Sequence, residues 1–340
     1  MALHIGLIGA GNITRTHALA ARAIPGLEIA AICGANAGKT AALCREFAAT
    51  PYADLDLFLA HRPMDLVAIG SPSGLHAAQG IAAARRGLHV LAEKPIDVST
   101  RQADSLIAEA AKAGVKLAVF FQDRFKPEIQ RLKNLLETQT LGKLILADAR
   151  VKWHRPPEYY AGSRWRGTLA LDGGGALINQ GIHTLDLLLW LLGPVATVDA
   201  RMTAALHAIE AEDTLAALFE FKSGALGTFV ASTAIYPGYP RRLELSGSQG
   251  TIILESDRIA AIDLRDSREQ TTPVPSGAAQ NAWSAAVADT SAHQAALEDF
   301  LHAIATNTEP ACGGSEARKS LALAESIYES CRTGRRVAVA

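Results

Sequence analysis

Apolar residues along the first 122 positions recur in two alternating patterns. Short apolar runs typical of buried strands are LHIGLIG, LEIAAIC, DLVAIG, LHVLAE and VKLAVFF. Between them, apolar residues return every three or four positions, which predicts helices near 12–24, 38–48, 74–87 and 99–114. Strands that alternate with helices in this way predict a parallel sheet covered by helices on both faces.

After residue 122 the pattern changes. It predicts a helix near 126–138, a strand near 143–152, a polar aromatic loop, a helix around His183 and then long alternating strands. The clearest hairpin joins TLAALFEF to ALGTFVAST through KSG, and both of its faces are largely apolar. We expect helices to cover one face and a partner subunit to cover the other.

The predicted fold class is therefore α/β, with two domains. Residues 1–122 form the first domain, and residues 123–340 form an α+β domain whose last helices can pack back on the first. A chain of 340 residues with 49% hydrophobic content is long enough for two cores.

Charge and cysteine content exclude several classes of protein. The net charge of −1 gives no basic excess to attract nucleic acid or anionic lipid. The four cysteines have no CxxC or Cys/His ligand spacing, so neither disulfides nor a metal site is predicted. No segment has the pattern of a signal peptide or a membrane span. We expect a cytoplasmic protein whose partner is a small molecule, with no nucleic acid and no membrane.

The segment GLIGAGNITRTH follows the first strand and opens the first helix. Glycines allow a tight turn and close approach to a pyrophosphate, whose charge is held by amides at the helix N-terminus. An ordinary strand-turn-helix can carry the same letters, but a position at the start of a series of βα units favours a Rossmann dinucleotide site. The cofactor-binding residues predicted in this turn are Gly9, Gly11, Asn12 and Ile13.

The end of the second strand, AICGANAGKT, bears on the choice of cofactor. An acid there would bind the ribose 2′-hydroxyl and repel a 2′-phosphate. Gly34, a further predicted cofactor-binding residue, occupies that position, and Lys39 beyond it is either a phosphate ligand or an ordinary solvated residue. The predicted cofactor is NAD or NADP, with the choice left open.

Two further segments, GSPSGLH and AEKPI, lie at predicted strand ends, where ligands bind in open α/β sheets. Proline after the lysine of AEKPI stiffens the backbone that presents it. These segments add Ser71, Pro72, His76, Glu93 and Lys94 to the predicted cofactor-binding residues.

At this point the sequence resembles the Gfo/Idh/MocA family, named for glucose-fructose oxidoreductase and inositol 2-dehydrogenase. The matching segments are GAGNI, SPSGLH, EKP, the RF of QDRFKP, GGGALINQGIH and AESIYESCRTGR, and they span nearly the whole chain. The resemblance implies a nucleotide-binding domain, a second domain with a large, open-faced, mainly antiparallel sheet, and a site between them. We expect a dimer or tetramer formed through the open sheet face.

The resemblance also implies roles for two residues. Lys94 contacts the reacting hydroxyl beside the nicotinamide, and His183 comes to the same place from the second domain. Oxidising a secondary alcohol requires a base within hydrogen-bond reach of its proton, and histidine can be that base near neutral pH. We favour His183 as the base and Lys94 as the group that stabilises the alkoxide. The reverse assignment stays open, as does a purely structural His183 in the core.

Asn179 stands where many family members have an aspartate, four residues before the histidine. On one helix face an amide there can orient the imidazole without adding negative charge, so His183 is expected to be a weaker base than in the aspartate-bearing polyol dehydrogenases. Asp186 either supplies the missing charge or anchors the helix. The predicted catalytic residues are Lys94, His183 and Asn179.

The segment VKWHRPPEYYAGSRWRG interleaves basic and aromatic side chains. Aromatic rings form platforms for sugars, and arginines hold carboxylates or phosphates bidentately. The predicted substrate-binding residues are Arg155, Tyr159, Trp165, Arg166, Asn179 and His183. A solvated loop or a subunit contact is the alternative, and no nucleic-acid motif accompanies the segment.

The predicted function is an NAD(P)-dependent oxidoreductase that transfers hydride between a nicotinamide cofactor and a secondary hydroxyl or ketone of a sugar. The basic loop favours an anionic sugar, either a sugar acid or a nucleotide sugar. One alternative is an NAD-dependent glycoside-cleaving enzyme that oxidises its sugar transiently, and another is a non-catalytic sensor of dinucleotide state. The sequence leaves open the sugar, the carbon oxidised, the reaction direction and the subunit number.

Overall fold

The computed structural model describes residues 2–265, 268–269 and 289–339. The chain divides into two compact units. Within the described residues, the first unit comprises residues 2–122 and 289–321, and the second comprises residues 123–265, 268–269 and 322–339.

The first unit contains a six-stranded parallel sheet in the order β3-β2-β1-β4-β5-β6. Its strands are β1 (Leu3–Ile8), β2 (Leu27–Cys33), β3 (Thr50–Tyr52), β4 (Leu66–Ile69), β5 (His89–Ala92) and β6 (Leu117–Val119). The order reverses at β1, as in the doubly wound Rossmann fold. All four residues of β4 are buried, which explains why the strand is a continuous apolar run without alternation.

Five helices follow these strands: α1 (Asn12–Arg22), α2 (Ala37–Phe47), α3 (Leu55–Leu59), α4 (His76–Ala84) and α5 (Thr100–Ala113). A 3₁₀ turn at Ser73–Leu75 precedes α4. The sequence pattern did not predict β3 or α3. They have three and five residues, too few for a period to be recognised.

The second unit contains a nine-stranded mixed sheet in the order β14-β13-β12-β11-β7-β10-β9-β8-β15. Its strands are β7 (Leu144–Lys152), β8 (Val195–Thr203), β9 (Thr214–Phe221), β10 (Leu226–Ser232), β11 (Arg242–Gly247), β12 (Gly250–Glu255), β13 (Arg258–Leu264), β14 (Arg268–Glu269) and β15 (Val337–Ala338). β7 and β10 are parallel, whereas the other described pairs are antiparallel. The predicted fold class is confirmed.

The predicted hairpin forms β9 and β10. On β9, Leu215, Ala217 and Phe219 are buried, whereas Leu218 on the other face is 61% exposed. One face of this sheet is therefore packed in the core of the second unit and the opposite face carries exposed apolar residues.

The helices of the second unit are α6 (Pro127–Glu137), α7 (Glu158–Ala161) and α8 (Ile182–Leu192), and a π-helix (Ala176–Gly181) runs directly into α8. Two helices follow near the C-terminus, α9 (Ser291–Thr306) and α10 (Gly314–Thr333). Within the first unit, α9 packs against α1 and β5. Across the described ranges, no helix has the length and apolar character needed to cross a membrane.

Candidate functional site

The glycine turn after β1 leaves space at the N-terminus of α1. Gly9 has φ +115°, and a Cβ there would lie 2.7 Å from the carbonyl oxygen of Gly70 and from Thr14 Oγ1. Gly11 is the N-cap of α1, and a Cβ on it would meet no atom within 4 Å. Asn12 and Ile13 begin the helix. Unpaired helix amides beside open space suit a pyrophosphate, so this turn fits a dinucleotide.

Gly34, at the end of β2, is restricted by packing. A Cβ there would lie 2.7 Å from Ala10 Cβ and from Thr40 Oγ1. An acidic side chain would collide at this position, so the glycine has a structural reason besides its effect on cofactor choice. Beyond it, the side chain of Asn36 caps α2 by accepting a hydrogen bond from the Lys39 amide at 3.0 Å.

The two other predicted cofactor segments are joined by a buried histidine. The Nδ1 atom of His76 lies 2.8 Å from the carbonyl oxygen of Pro95, and its Nε2 lies 2.9 Å from that of Ser71. Ser71 also donates its hydroxyl to Gln79 at 2.6 Å. Pro72 precedes the 3₁₀ turn. His76 therefore fixes the loop after β4 against the turn after β5.

Glu93 supports the backbone of the predicted catalytic lysine. Its Oε2 accepts the Lys94 amide at 3.1 Å, and its Oε1 lies 2.9 Å from Nε2 of buried His17. Burial opposes ionisation, but the hydrogen bond and charge of His17 lower the pKa of Glu93 to about 2. A carboxylate only accepts, so His17 Nε2 carries the hydrogen. His17, which also stacks on Phe120 at 4.3 Å, is a residue that sequence analysis missed.

In the second unit, two of the three glycines before the helix that carries His183 leave room for other parts of the protein to pack against the backbone. A Cβ on Gly175 would overlap the backbone carbonyl oxygen of Glu212, and one on Gly174 would overlap the hydroxyl of Tyr328. The Glu212 carboxylate accepts the amides of Gly175 and Leu177 at 3.1 and 2.8 Å. These glycines thus allow Glu212 to bind the first amides of the segment that carries Asn179.

Asn179 and His183 do not lie on one regular helix. Asn179 belongs to the π-helix, whereas His183 is the second residue of α8. The one-turn spacing assumed from the sequence requires 3.6 residues per turn throughout, and a π-helix has a wider turn. Single π turns within helices often occur at functional sites.

The structure gathers most of the predicted substrate-binding residues of the second unit. The Tyr159 hydroxyl donates to Asn179 Oδ1 at 3.1 Å. The guanidinium of Arg166 lies 4.4 Å from the Tyr159 ring centre and 5.2 Å from that of Trp165, and Arg155 lies 5.6 Å from the Tyr159 ring. These five residues form what we call the Tyr159 cluster.

Of the two charged residues in the Tyr159 cluster, Arg155 is buried and Arg166 is half-buried. Burial lowers the pKa of Arg155, which is 2% exposed, and raises that of Tyr159 against the opposing effect of Arg166 and Arg155. Arg166 donates to the carbonyl oxygen of Tyr159 at 3.4 Å and, in the described part of the chain, has no carboxylate partner. Arg164 is exposed and stays outside the cluster.

His183 acts electrostatically on a carboxylate that sequence analysis did not identify. Burial raises the pKa of Asp123, but Arg241, Lys126 and His183 together hold it well below its usual range. Asp123 belongs to QDRF, directly after the buried residues that follow β6. Asp186 instead forms a buried bidentate pair with Arg124, at 2.7 and 2.6 Å, and so anchors α8.

A Rossmann sheet with a glycine turn that fits a dinucleotide defines a dinucleotide-binding protein. Residues 3–121 match the description "Oxidoreductase family, NAD-binding Rossmann fold", and residues 129–253 match "GFO/IDH/MocA C-terminal domain". The chain belongs to the Gfo/Idh/MocA family of NAD-dependent sugar dehydrogenases, and the predicted resemblance is confirmed.

Individual relatives are similar over nearly their whole length. The WlbA dehydrogenase of Bordetella pertussis, solved in complex with NADH and UDP-GlcNAcA, is 31% identical with a TM-score of 0.89, covering 100% of this chain and 98% of that one. The D-apiose dehydrogenase of Paraburkholderia graminis is 29% identical, covering 97% and 88%. The UDP-N-acetylglucosamine 3-dehydrogenase of Acidithiobacillus ferrooxidans is 28% identical, covering 95% of each. The protein is accordingly a sugar or polyol dehydrogenase or oxidoreductase of this family.

Proposed function

We propose that this protein oxidises a secondary hydroxyl of an anionic sugar, a sugar acid or a nucleotide sugar, with NAD as hydride acceptor. The observation that carries the proposal is Arg166, whose guanidinium is stacked between Tyr159 and Trp165 without a carboxylate partner among the described residues. A stacked guanidinium is positioned to bind a carboxylate or phosphate bidentately. The similarity to a dehydrogenase solved with UDP-GlcNAcA supports the same substrate class.

The residues of the chain divide the chemistry as follows. The turn at Gly9 and Gly11 would hold NAD, which would supply the hydride acceptor. His183 removes the hydroxyl proton, and Lys94 stabilises the negative charge that develops on the oxygen. Glu93 and His76 support Lys94 by fixing the backbone on both sides of it. The opposite assignment, with Lys94 as the proton acceptor, is the alternative that kinetics must separate.

A substrate screen tests the proposed activity. UDP-GlcNAcA, simple uronates, myo-inositol and neutral aldoses are supplied with NAD, and both NADH formation and glycoside release are followed. We expect NADH to accumulate with an anionic sugar at the highest kcat/KM. Glycoside release without NADH accumulation would favour transient oxidation in a glycoside-cleaving enzyme, and binding of NAD without any turnover would favour a sensor.

Two arginine variants test the substrate class. Arg166→Ala should lower kcat/KM for the anionic sugar by on the order of 2 to 4 kcal/mol, and for neutral sugars much less. Arg164→Ala is the matched control, because this arginine lies in the same loop but is exposed and unstacked. If a neutral polyol is the best substrate and Arg166→Ala turns it over at the wild-type rate, the basic loop is structural.

Variants of the two catalytic residues test the proton transfer. His183→Ala should slow turnover by roughly a hundred- to ten-thousandfold while NAD affinity changes little. Lys94→Ala should be at least as slow, because the alkoxide loses its cation. If the acidic limb of the kcat/KM profile disappears in Lys94→Ala but persists in His183→Ala, the lysine is the proton acceptor.

We also propose that the exposed face of the nine-stranded sheet joins subunits into a dimer or tetramer. Leu146, Leu218 and Leu226 lie on that face with 42%, 61% and 56% of their surface exposed. Clustered exposed leucines are typical of an interface. Leu218→Glu should dissociate the oligomer in light scattering, whereas Leu57→Glu, at an exposed leucine of α3, should not. A monomeric wild-type protein would refute this proposal.

The cytoplasmic location inferred from the sequence remains a prediction.

A further inference from the structure

Asp172 is a buried carboxylate that sequence analysis did not single out. It is 1% exposed and directly precedes the three glycines. Its Oδ2 accepts the amide of Gly167 at 2.8 Å. Its two oxygens lie 2.9 and 3.0 Å from Nδ2 of Asn179. The carboxyl group absent from position 179 is therefore present seven residues earlier, against the amide of Asn179.

This contact determines the orientation of the Asn179 amide. A carboxylate accepts hydrogen bonds, so the nitrogen end of the amide must face Asp172. The oxygen end, Oδ1, then accepts from the Tyr159 hydroxyl at 3.1 Å and from Gln180 Nε2 at 2.6 Å. Because the partners are chemically distinct at the two ends, the reversed amide would face acceptor with acceptor and donor with donor.

The hydrogen bonds continue, each with a defined direction, from Asn179 towards the arginines. Gln180 Nε2 also donates to the Tyr159 oxygen at 3.2 Å, and the side chain of Arg155 donates to the same oxygen. The hydroxyl hydrogen of Tyr159 is thus directed to Asn179. The ring that this hydroxyl holds in place is the ring on which Arg166 stacks. A chain of hydrogen bonds runs from the Asp172 carboxylate through Asn179 and Tyr159 to Arg155.

We propose that Asp172 is a positioning residue for the anionic substrate. It fixes Asn179, Asn179 fixes the Tyr159 hydroxyl, and the tyrosine holds Arg155 and Arg166 in the arrangement that binds the substrate anion. The inference rests on the proposed function, because it assigns the arginines to the substrate. It also implies that an aspartate at position 179 would not act mainly on His183. It would face Asp172 at hydrogen-bond distance, where two carboxylates share one proton.

An exchange of the two residues tests this proposal. Asp172→Asn, Asn179→Asp and the double variant are titrated with UDP-GlcNAcA in the presence of NADH, and with NADH alone. Each single variant should bind UDP-GlcNAcA roughly 10- to 100-fold more weakly, with NADH affinity unchanged. The double variant restores one carboxylate and one amide and should recover to within about threefold of wild type. Glu158→Gln, at an exposed acid of the same loop, is the control and should bind like wild type.

Tyr159→Phe keeps the test decisive if Asp172→Asn does not fold. This variant retains the ring and removes the hydroxyl, so it should reproduce the loss of UDP-GlcNAcA binding without loss of NADH binding. Wild-type affinity in Tyr159→Phe, or no recovery in the double variant, overturns the role of Asp172. If Arg166→Ala weakens UDP-GlcNAcA binding in that case, the proposed function stands and only this inference fails. If the wild-type protein does not bind UDP-GlcNAcA, the same variants are titrated with the simple uronate of highest kcat/KM, and if it binds neither, the proposed function fails and this inference fails with it.

Discussion

Each unit of the protein has a glycine-rich turn that leads into a helix, and the N-cap glycines of the two turns use the missing side chain in opposite ways. At Gly11 in the first unit, an added Cβ would meet nothing within 4 Å. At Gly175 in the second unit, it would overlap the backbone of Glu212. The first turn keeps space for a ligand at Gly11, although its Gly9 packs against Gly70, and the second turn fills the space at Gly175 with protein. A glycine-rich segment before a helix therefore indicates that another group comes close to its backbone. Only the tertiary structure shows whether that group is a cofactor or another part of the chain.

A buried glutamate contacts each turn or the helix that follows it, and the pKa values of these two glutamates are shifted in opposite directions. Glu93 binds His17 of the helix that follows the first turn, and its pKa is lowered to about 2. Glu212 binds the amides of the second turn, and burial raises its pKa despite those hydrogen bonds and the one from Tyr328. The hydrogen bond and charge of His17 outweigh burial at the first glutamate, whereas burial outweighs the hydrogen bonds to the second.

The largest expected effect is that of Gly175→Ala. The obstacle is backbone, which cannot rotate away, so we expect a loss of more than about 4 kcal/mol in the free energy of unfolding, or a protein that does not fold. Urea unfolding measures it. Gly174→Ala is the matched control and should cost less, because the Tyr328 side chain can move. A Gly175→Ala protein as stable as wild type would remove the packing explanation for this turn.

The second expected effect concerns Glu93 and acid. Its pKa is about 2 in the folded protein against an ordinary 4.5, so its contribution to stability is complete above pH 4.5 and is lost as the pH falls towards 2. A shift of this size corresponds to on the order of 3 kcal/mol. Urea unfolding of Glu93→Gln across that range should show a flatter pH dependence than wild type. An unchanged acid slope would mean that the carboxylate is not ionised in the folded protein.

Glu212→Gln should change the pH dependence of stability in the opposite direction to Glu93→Gln. The folded-state pKa of Glu212 is raised, so this group favours folding less as the pH increases through the raised value. The glutamine variant should lose that decline above pH 4.5 and keep the acid slope of wild type. The same slope change in both variants would contradict the difference between the two glutamates.

A smaller effect is expected for Gly11→Ala. The backbone of Gly11 has φ −96°, which alanine adopts, and nothing obstructs its methyl group, so the free energy of unfolding should change by less than about 1 kcal/mol. The methyl group occupies the space proposed for the pyrophosphate, so NADH affinity, measured by fluorescence titration, should fall roughly 10- to 100-fold. Undiminished affinity would show that the cofactor does not approach this turn.

The smallest effect is the expected difference between NAD and NADP. We expect them to bind within about tenfold of each other, or about 1.4 kcal/mol, since no acid follows β2. Gly34 cannot carry one, because a Cβ there collides with Ala10 and Thr40. Ala35→Asp, at the exposed next residue, should weaken NADP binding more than NAD binding. A thousandfold preference in the wild-type protein would show that another group distinguishes the 2′-hydroxyl of NAD from the 2′-phosphate of NADP.

Periodicity predicted the regular elements of both units because burial imposes it. The apolar runs of β1, β2, β4, β5 and β6 and the hairpin β9–β10 lie where the sequence pattern placed them. β3 and α3 were too short to predict. The π-helix was missed for a different reason, since no residue pattern in ALINQG distinguishes a π turn from an α turn. The spacing between Asn179 and His183 was consequently assigned to the wrong kind of helix.

The sequence by itself determined the alternation of elements, the family and the candidate residues, because these follow from local periodicity and from letters at short spacing. Only the tertiary structure decided which partners those residues have. Asp172 meets Asn179, His17 meets Glu93, and Arg124 meets Asp186 across 7, 76 and 62 positions. Hydrogen bonds and ion pairs act over a few ångströms, and the chain brings the two partners of each pair together only when the unit that contains them has folded its core.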